Sequence, residues 1–99
     1  MAGDKRNVKM SREKIEKSLY LAHLMGARIM TTHLGFYGNL SKKETMKRIV
    51  KNLRAIRDRV KKRGIEVPIG LETMGKKEVF GSLEEIIEVC KRVRGTVPV

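Results

Sequence analysis

The same punctuation occurs twice along this chain, and the repetition limits what it can fold into. A glycine that ends a helical pattern (Gly26, Gly64) leads into a short apolar, β-branched run. One run is Arg28-Ile-Met-Thr-Thr-His-Leu-Gly35, the other Val67-Pro-Ile-Gly-Leu-Glu-Thr-Met-Gly75. After each comes a glycine-bearing turn and then Ser-x-x-Glu, from Ser41 to Glu44 and from Ser82 to Glu85. That is the spacing of a capping box, in which the serine hydroxyl accepts from a backbone N–H one turn on and the glutamate reaches back to the serine N–H. The glycines lie 38 residues apart and the serines 41, so the repeated unit is a strand followed by a helix. Strands joined through helices by right-handed crossovers pair in parallel. The expected fold is α/β, made of parallel βα units.

In chain order, residues 1–10 are polar and basic and show no periodicity, which predicts a basic loop or mobile arm. From Ser11, read as an N-cap, Ile15, Leu19, Ala22 and Met25 recur at helical spacing. His23 sits one position off that stripe and reads as a surface residue. In the first strand Ile29 and Thr31 point one way and Met30 and Thr32 the other, with His33 at the end. Met46, Ile49, Val50, Leu53, Ile56 and Val60 form the stripe of a long second helix whose remaining surface is crowded with Lys and Arg. Val67, Ile69 and Leu71 share one side of the second strand, and Pro68 fits a strand start or an amide that needs no ladder partner. Leu83, Ile86, Ile87, Cys90 and Val93 predict the buried face of a third helix, stopped by Gly95, and Thr96 to Val99 begins a third strand.

Ninety-nine residues make a single domain, 1–99, of a size that buries about 60–65% of its unfolded surface. The formal charge of +12 has two readings. Clustered Lys and Arg match a polyanion such as nucleic acid, and the same composition matches the solvated surface of a heat-adapted protein. The single cysteine, Cys90, excludes an intramolecular disulfide, fits a reducing compartment, and reads as a small buried hydrophobe. No apolar run approaches the roughly 20 residues of a membrane span and no export segment is present at the amino terminus, so the expected location is the cytoplasm, without membrane association.

Loops that follow the carboxyl ends of parallel strands form the working crevice of such folds. His33 and Glu72 both stand there, at equivalent places in the repeat. Two roles are open to the pair: a metal ion held between them, or simple loop capping. A carboxylate directly after a buried strand is costly unless paired, hydrogen-bonded or bound to a cation, which weights Glu72 toward the first.

Leu71-Glu-Thr-Met74 with Gly75, preceded 39 residues earlier by a strand ending His33-Leu-Gly35, resembles endonuclease IV, the zinc-dependent apurinic/apyrimidinic endonuclease, especially its archaeal members. The helix end Met25-Gly-Ala-Arg28 and the helix start Gly81-Ser-Leu-Glu-Glu-Ile86 are further points of likeness. The resemblance implies a (β/α)8 TIM barrel of which this chain is a partial copy, from the second helix to the start of the fifth strand. It also implies that His33 is a terminal zinc ligand and Glu72 a bridging one. Tyr37, Lys76 and Lys77, in the neighbouring loops, would contact DNA phosphates or a lesion. Leu34 stands where that family usually has proline, Phe36-Tyr37 replaces a small residue and a histidine, and Gly75-Lys-Lys77 is poorer in glycine. The family's other ligands would lie on strands outside this chain, so a catalytic zinc site is incomplete within it and the segment alone is expected to be inactive. A segment of a xylose isomerase-like sugar isomerase or epimerase barrel is the second reading. A non-enzymatic fragment that self-associates through open sheet edges, or binds nucleic acid, is the third.

Overall fold

A computed structural model describes residues 5–33, 41–73 and 81–99. Their elements follow in the order α1 (Lys5–Leu24), β1 (Met30–Thr32), α2 (Lys42–Lys62), β2 (Ile69–Leu71), α3 (Leu83–Arg92) and β3 (Thr96–Pro98). The three strands form one sheet in the order β1-β2-β3, both pairs parallel. Two consecutive βα crossovers produce this order, so α2 joins β1 to β2 and α3 joins β2 to β3.

Helix ends are fixed as the sequence requires. Gly26 and Gly64 adopt φ of 71° and 78°, the left-handed conformation that a β-carbon penalises. Around each, paired bonds satisfy the last carbonyls: Ala27 N–H to Ala22 O with Gly26 N–H to His23 O, and Ile65 N–H to Val60 O with Gly64 N–H to Lys61 O. These are Schellman motifs. At the second, Ile65 packs in the same apolar cluster as Val60, which turns the chain from α2 back toward the sheet. Ser82 forms the complete capping box with Glu85. Ser41 caps α2 through its hydroxyl, but the Glu44 carboxylate turns along the helix to Arg48, with Oε1 3.2 Å from Nε.

Helix α1 starts at Lys5, so residues 5–10 are helical and the expected basic arm is corrected over that stretch. The reason lies in the stripe, which continues upstream of Ile15 through Arg12 and the half-buried Val8 at helical spacing. Met25 is 82% exposed because it lies past the last helical residue, next to Gly26. Leu83 and Ile87, expected on the buried face of α3, are exposed on its flank, and the buried face is Ile86, Val89 and Val93 with Cys90 partly covered. Ile87 is rotated about 100° from Ile86, enough to leave a narrow core stripe.

The core is one apolar layer between the helices and one face of the sheet. Ile15 and Leu19 from α1, Ile49, Leu53 and Ile56 from α2, Ile86 and Val89 from α3 meet Ile69 and Leu71 of the central strand. Polar ties join the helices at the margins. Arg54 of α2 donates from Nε and Nη2 to the Arg92 carbonyl at 3.1 and 2.8 Å, satisfying an exposed end of α3. Glu16 of α1, nearly buried, stands 3.1 Å from the Arg59 guanidinium of α2 as an electrostatic contact without hydrogen-bond alignment. No helix among the described residues is long and apolar enough to cross a membrane.

Leu53 is fully buried and Leu24 exposed, so Leu53→Ala is expected to cost about 2–5 kcal/mol in urea denaturation, whereas Leu24→Ala stays within about 0.5 kcal/mol. Ser82→Ala removes the hydroxyl half of the capping box and should cost about 1 kcal/mol in the same measurement.

Candidate functional site at the strand ends

Strand register brings the two candidate residues together. Met30 pairs with Ile69, Thr31 with Gly70 and Thr32 with Leu71, a constant offset. One more step along both chains sets His33 opposite Glu72, and the Glu72 N–H donates to Thr32 O at 3.0 Å, extending the ladder to that point. Side-chain alternation does the rest. Because Ile69 and Leu71 are buried against the helices, Gly70 and Glu72 turn to the opposite face, and on β1 Thr31 and His33 do the same.

There the His33 Nδ1 and Glu72 Oε2 atoms are 3.2 Å apart. The side chains are 58% and 37% exposed, so water screens the pair and its contribution to folding is small. The Val99 N–H donates to Leu71 O at 3.0 Å and brings the end of β3 alongside. A carboxylate oxygen and an imidazole nitrogen are donors that zinc accepts. Ligands about 2.05 Å from a tetrahedral zinc ion stand about 3.3 Å from one another, close to the observed separation, which is equally that of a direct ion pair. Among the described residues no group of three His, Cys, Asp or Glu side chains is gathered to hold a metal. Within those residues the pair supplies two ligands at most.

Tyr37, Lys76 and Lys77 lie outside the described residues; in the sequence their loops follow directly on His33 and Thr73. His23 is exposed on α1, and Cys90 packs partly buried against the core, as a structural residue would. The direct meeting of His33 and Glu72 was legible in the sequence as their 39-residue spacing, the same offset that the ladder later shows. The juxtaposition of Arg12 on α1 with Lys47 and Lys51 on α2 was not legible, since it depends on how the two helices pack.

The model of one protein family, described as xylose isomerase-like TIM barrel, matches residues 1–97. This chain belongs to that family. Among curated relatives, the uncharacterized protein MJ0133 of Methanocaldococcus jannaschii is 29% identical over 89 residues, which make up 90% of this chain and 32% of that protein. The chain thus spans about a third of the length of the curated relative it matches. No solved structure matches it. In TIM barrels catalytic residues come from the carboxyl ends of the strands, whereas the opposite face serves stability. His33 and Glu72 stand at the carboxyl ends of their strands.

A double-mutant cycle on His33→Ala and Glu72→Ala is expected to return a coupling energy below about 1 kcal/mol in chemical denaturation. A larger value would make the pair a structural tie.

Proposed function

We propose that this chain is a segment of a metal-dependent DNA repair endonuclease of the endonuclease IV type, which hydrolyses phosphodiester bonds at abasic sites. The observation that carries the reading is the 3.2 Å approach of His33 and Glu72 at the carboxyl ends of adjacent parallel strands, on the face turned away from the helices. The family description covers barrels of several activities, and two features of this chain favour the nuclease. One is the motif Leu71-Glu-Thr-Met74 after a strand 39 residues from His33-Leu-Gly35; the other is the net charge of +12, which suits a phosphodiester substrate. In this proposal the chain runs from the second helix to the start of the fifth strand of a TIM barrel.

His33 and Glu72 would hold zinc together with ligands from other strands of the barrel. Bound there, zinc would supply hydroxide at neutral pH and stabilise negative charge on phosphate oxygens. The residues of this chain do the positioning. The ladder bond from Glu72 N–H to Thr32 O fixes the two strand ends relative to each other, with both side chains on the same face of the sheet. Tyr37, Lys76 and Lys77 would neutralise and orient the DNA backbone beside them, Lys as point charges and Tyr as a hydroxyl or stacking group.

A xylose isomerase-like sugar isomerase or epimerase remains the alternative enzyme, because metal-held His and Glu serve that chemistry too. Exposed Ile29, Val97 and Val99 on the uncovered face of the sheet support a third reading, a fragment that self-associates. In a complete barrel that contains this segment, nicking of abasic-site duplex DNA is expected, with loss on chelation. His33→Ala and Glu72→Gln should each lower kcat/KM by more than about a hundredfold, since even outer partners of metal ligands matter by 10- to 100-fold. Ketose turnover without nicking would assign the isomerase instead. The 99-residue chain alone is expected to leave the duplex intact, and concentration-dependent assembly in sedimentation without either activity would favour the third reading.

A further inference from the structure

The basic residues of this chain are concentrated on the outer surface of α2. That helix carries ten Lys and Arg against Glu44 and Asp58 as its acids. Its neighbour α1 adds cations to one flank: Lys5, Arg12, Lys47, Arg48 and Lys51 line a groove between the two helices, with Val8 in the floor. On the other flank Lys47, Lys51, Arg54 and Arg92, with Asp58 as the one acid, line the groove toward α3. Lys47 and Lys51 belong to both grooves and so form the crest between them.

A heat-adapted surface would explain the charge only if acids were interspersed, because ion-pair networks need both signs. Here the acids are few, and on α2 they are Glu44 and Asp58 alone. Glu44 pairs with Arg48 at 3.2 Å, Glu88 pairs with Arg92 at 3.4 Å and Glu16 faces Arg59. Lys51 has Lys47, Arg48, Arg54 and Ala55 as its neighbours three and four residues away, so the crest places like charges side by side, an arrangement that weakens a helix. Arg12 is half-buried in the groove, its Nε shielded from water and without an acceptor. Arg54 is held in place by its two bonds to the Arg92 carbonyl, which fix a guanidinium at the edge of the second groove. Lys47 and Lys51 on the crest form no ion pair among the described residues, so their charge is open to an external anion.

α2 follows β1 and ends before β2, and α1 runs into β1, so the amino-terminal halves of both helices lie toward the carboxyl ends of the strands. This is the end that carries His33 and Glu72. The crest from Lys47 to Arg54 rises about 10 Å along α2, enough to follow about three phosphates of a strand spaced 3.4 Å apart along a duplex axis.

We propose that the Lys47–Lys51 crest and its two flanking grooves form a sequence-independent docking track for the backbone of duplex nucleic acid, outside the His33–Glu72 site. The track acts through phosphate neutralisation and needs no metal. It stands whether or not the endonuclease reading holds, and its test is run in the presence of EDTA on an undamaged duplex, where cleavage and metal binding play no part.

The measurement is fluorescence anisotropy of a labelled 20-base-pair duplex titrated with the whole chain at several salt concentrations. Binding is expected to weaken steeply with salt. The double variant Lys47→Gln/Lys51→Gln should bind about tenfold less tightly at low salt and show a slope of log affinity against log salt that is shallower by about two. A charge-matched control, Lys61→Gln/Lys62→Gln at the far end of α2, should stay close to the parent, with circular dichroism confirming that all three proteins are helical. Equal weakening by both variants would reduce the effect to net charge and overturn the track. So would absence of duplex binding at low salt, or preference for anionic phosphatidylserine vesicles over the duplex.

Discussion

The architecture depends on the burial of the central strand. Ile69 and Leu71 of β2 are sealed against helices that arrive from both neighbouring crossovers, and β1 and β3 are less enclosed. Once those two side chains are committed to the helical layer, strand geometry leaves no choice for the residues between and after them. Gly70 and Glu72 must face the other way, and the parallel ladder then dictates which residue of β1 stands beside each. The candidate site is thus a by-product of core formation: the hydrophobic effect acting on Leu71 aims the Glu72 carboxylate, with no separate device needed.

Polar groups near the core are few and economically placed. Thr45, fully buried at the start of α2, donates its hydroxyl to the Ser41 carbonyl at 2.8 Å, and Thr96 donates to Val93 at 2.7 Å where α3 gives way to β3. Each satisfies itself locally, at a helix end, where carbonyls or a cap are otherwise left over. The longer-range polar contacts, Arg54 to the end of α3 and Arg59 to Glu16, sit at the rim of the layer. They set how neighbouring helices lie along one another, while apolar contacts supply most of the stability.

Much of this was readable from residue order. Glycine stops, Ser-x-x-Glu starts and the spacing of apolar residues gave the six elements and the parallel pairing, because those signals act within a few residues of where they are written. Features that depend on two elements at once were less legible. Residues 5–10 looked like an arm because Ser11 offers a plausible cap, yet Val8 extends the stripe that meets α2 and the helix follows it upstream. Glu44 has the spacing to reach back to Ser41, but Arg48 one turn on competes for it and wins. Leu83 and Ile87 are apolar without being core, since periodicity reports a stripe and says nothing of its width or of which flank has a neighbour. For the site, the sequence supplied the identity and spacing of His33 and Glu72; among the described residues no third donor joins them.

Gly70 has a consequence for how the sheet finds its alignment. A β-carbon built there would lie 2.6 Å from Val99 Cγ2, 2.9 Å from Ile29 Cδ1 and 3.0 Å from Thr31 Cγ2, so side chains from both outer strands lean over the bare backbone of the middle one. Alternation of buried and open faces rejects a slip of one residue, because that would turn Leu71 outward, but it tolerates a slip of two. The gap at Gly70 rejects that second error. Moved by two, the overhanging side chains of Ile29 and Thr31 would meet Pro68 or Glu72 in place of a glycine. The glycine makes room for the side chains that lean over it in this alignment, the one in which His33 comes to rest against Glu72.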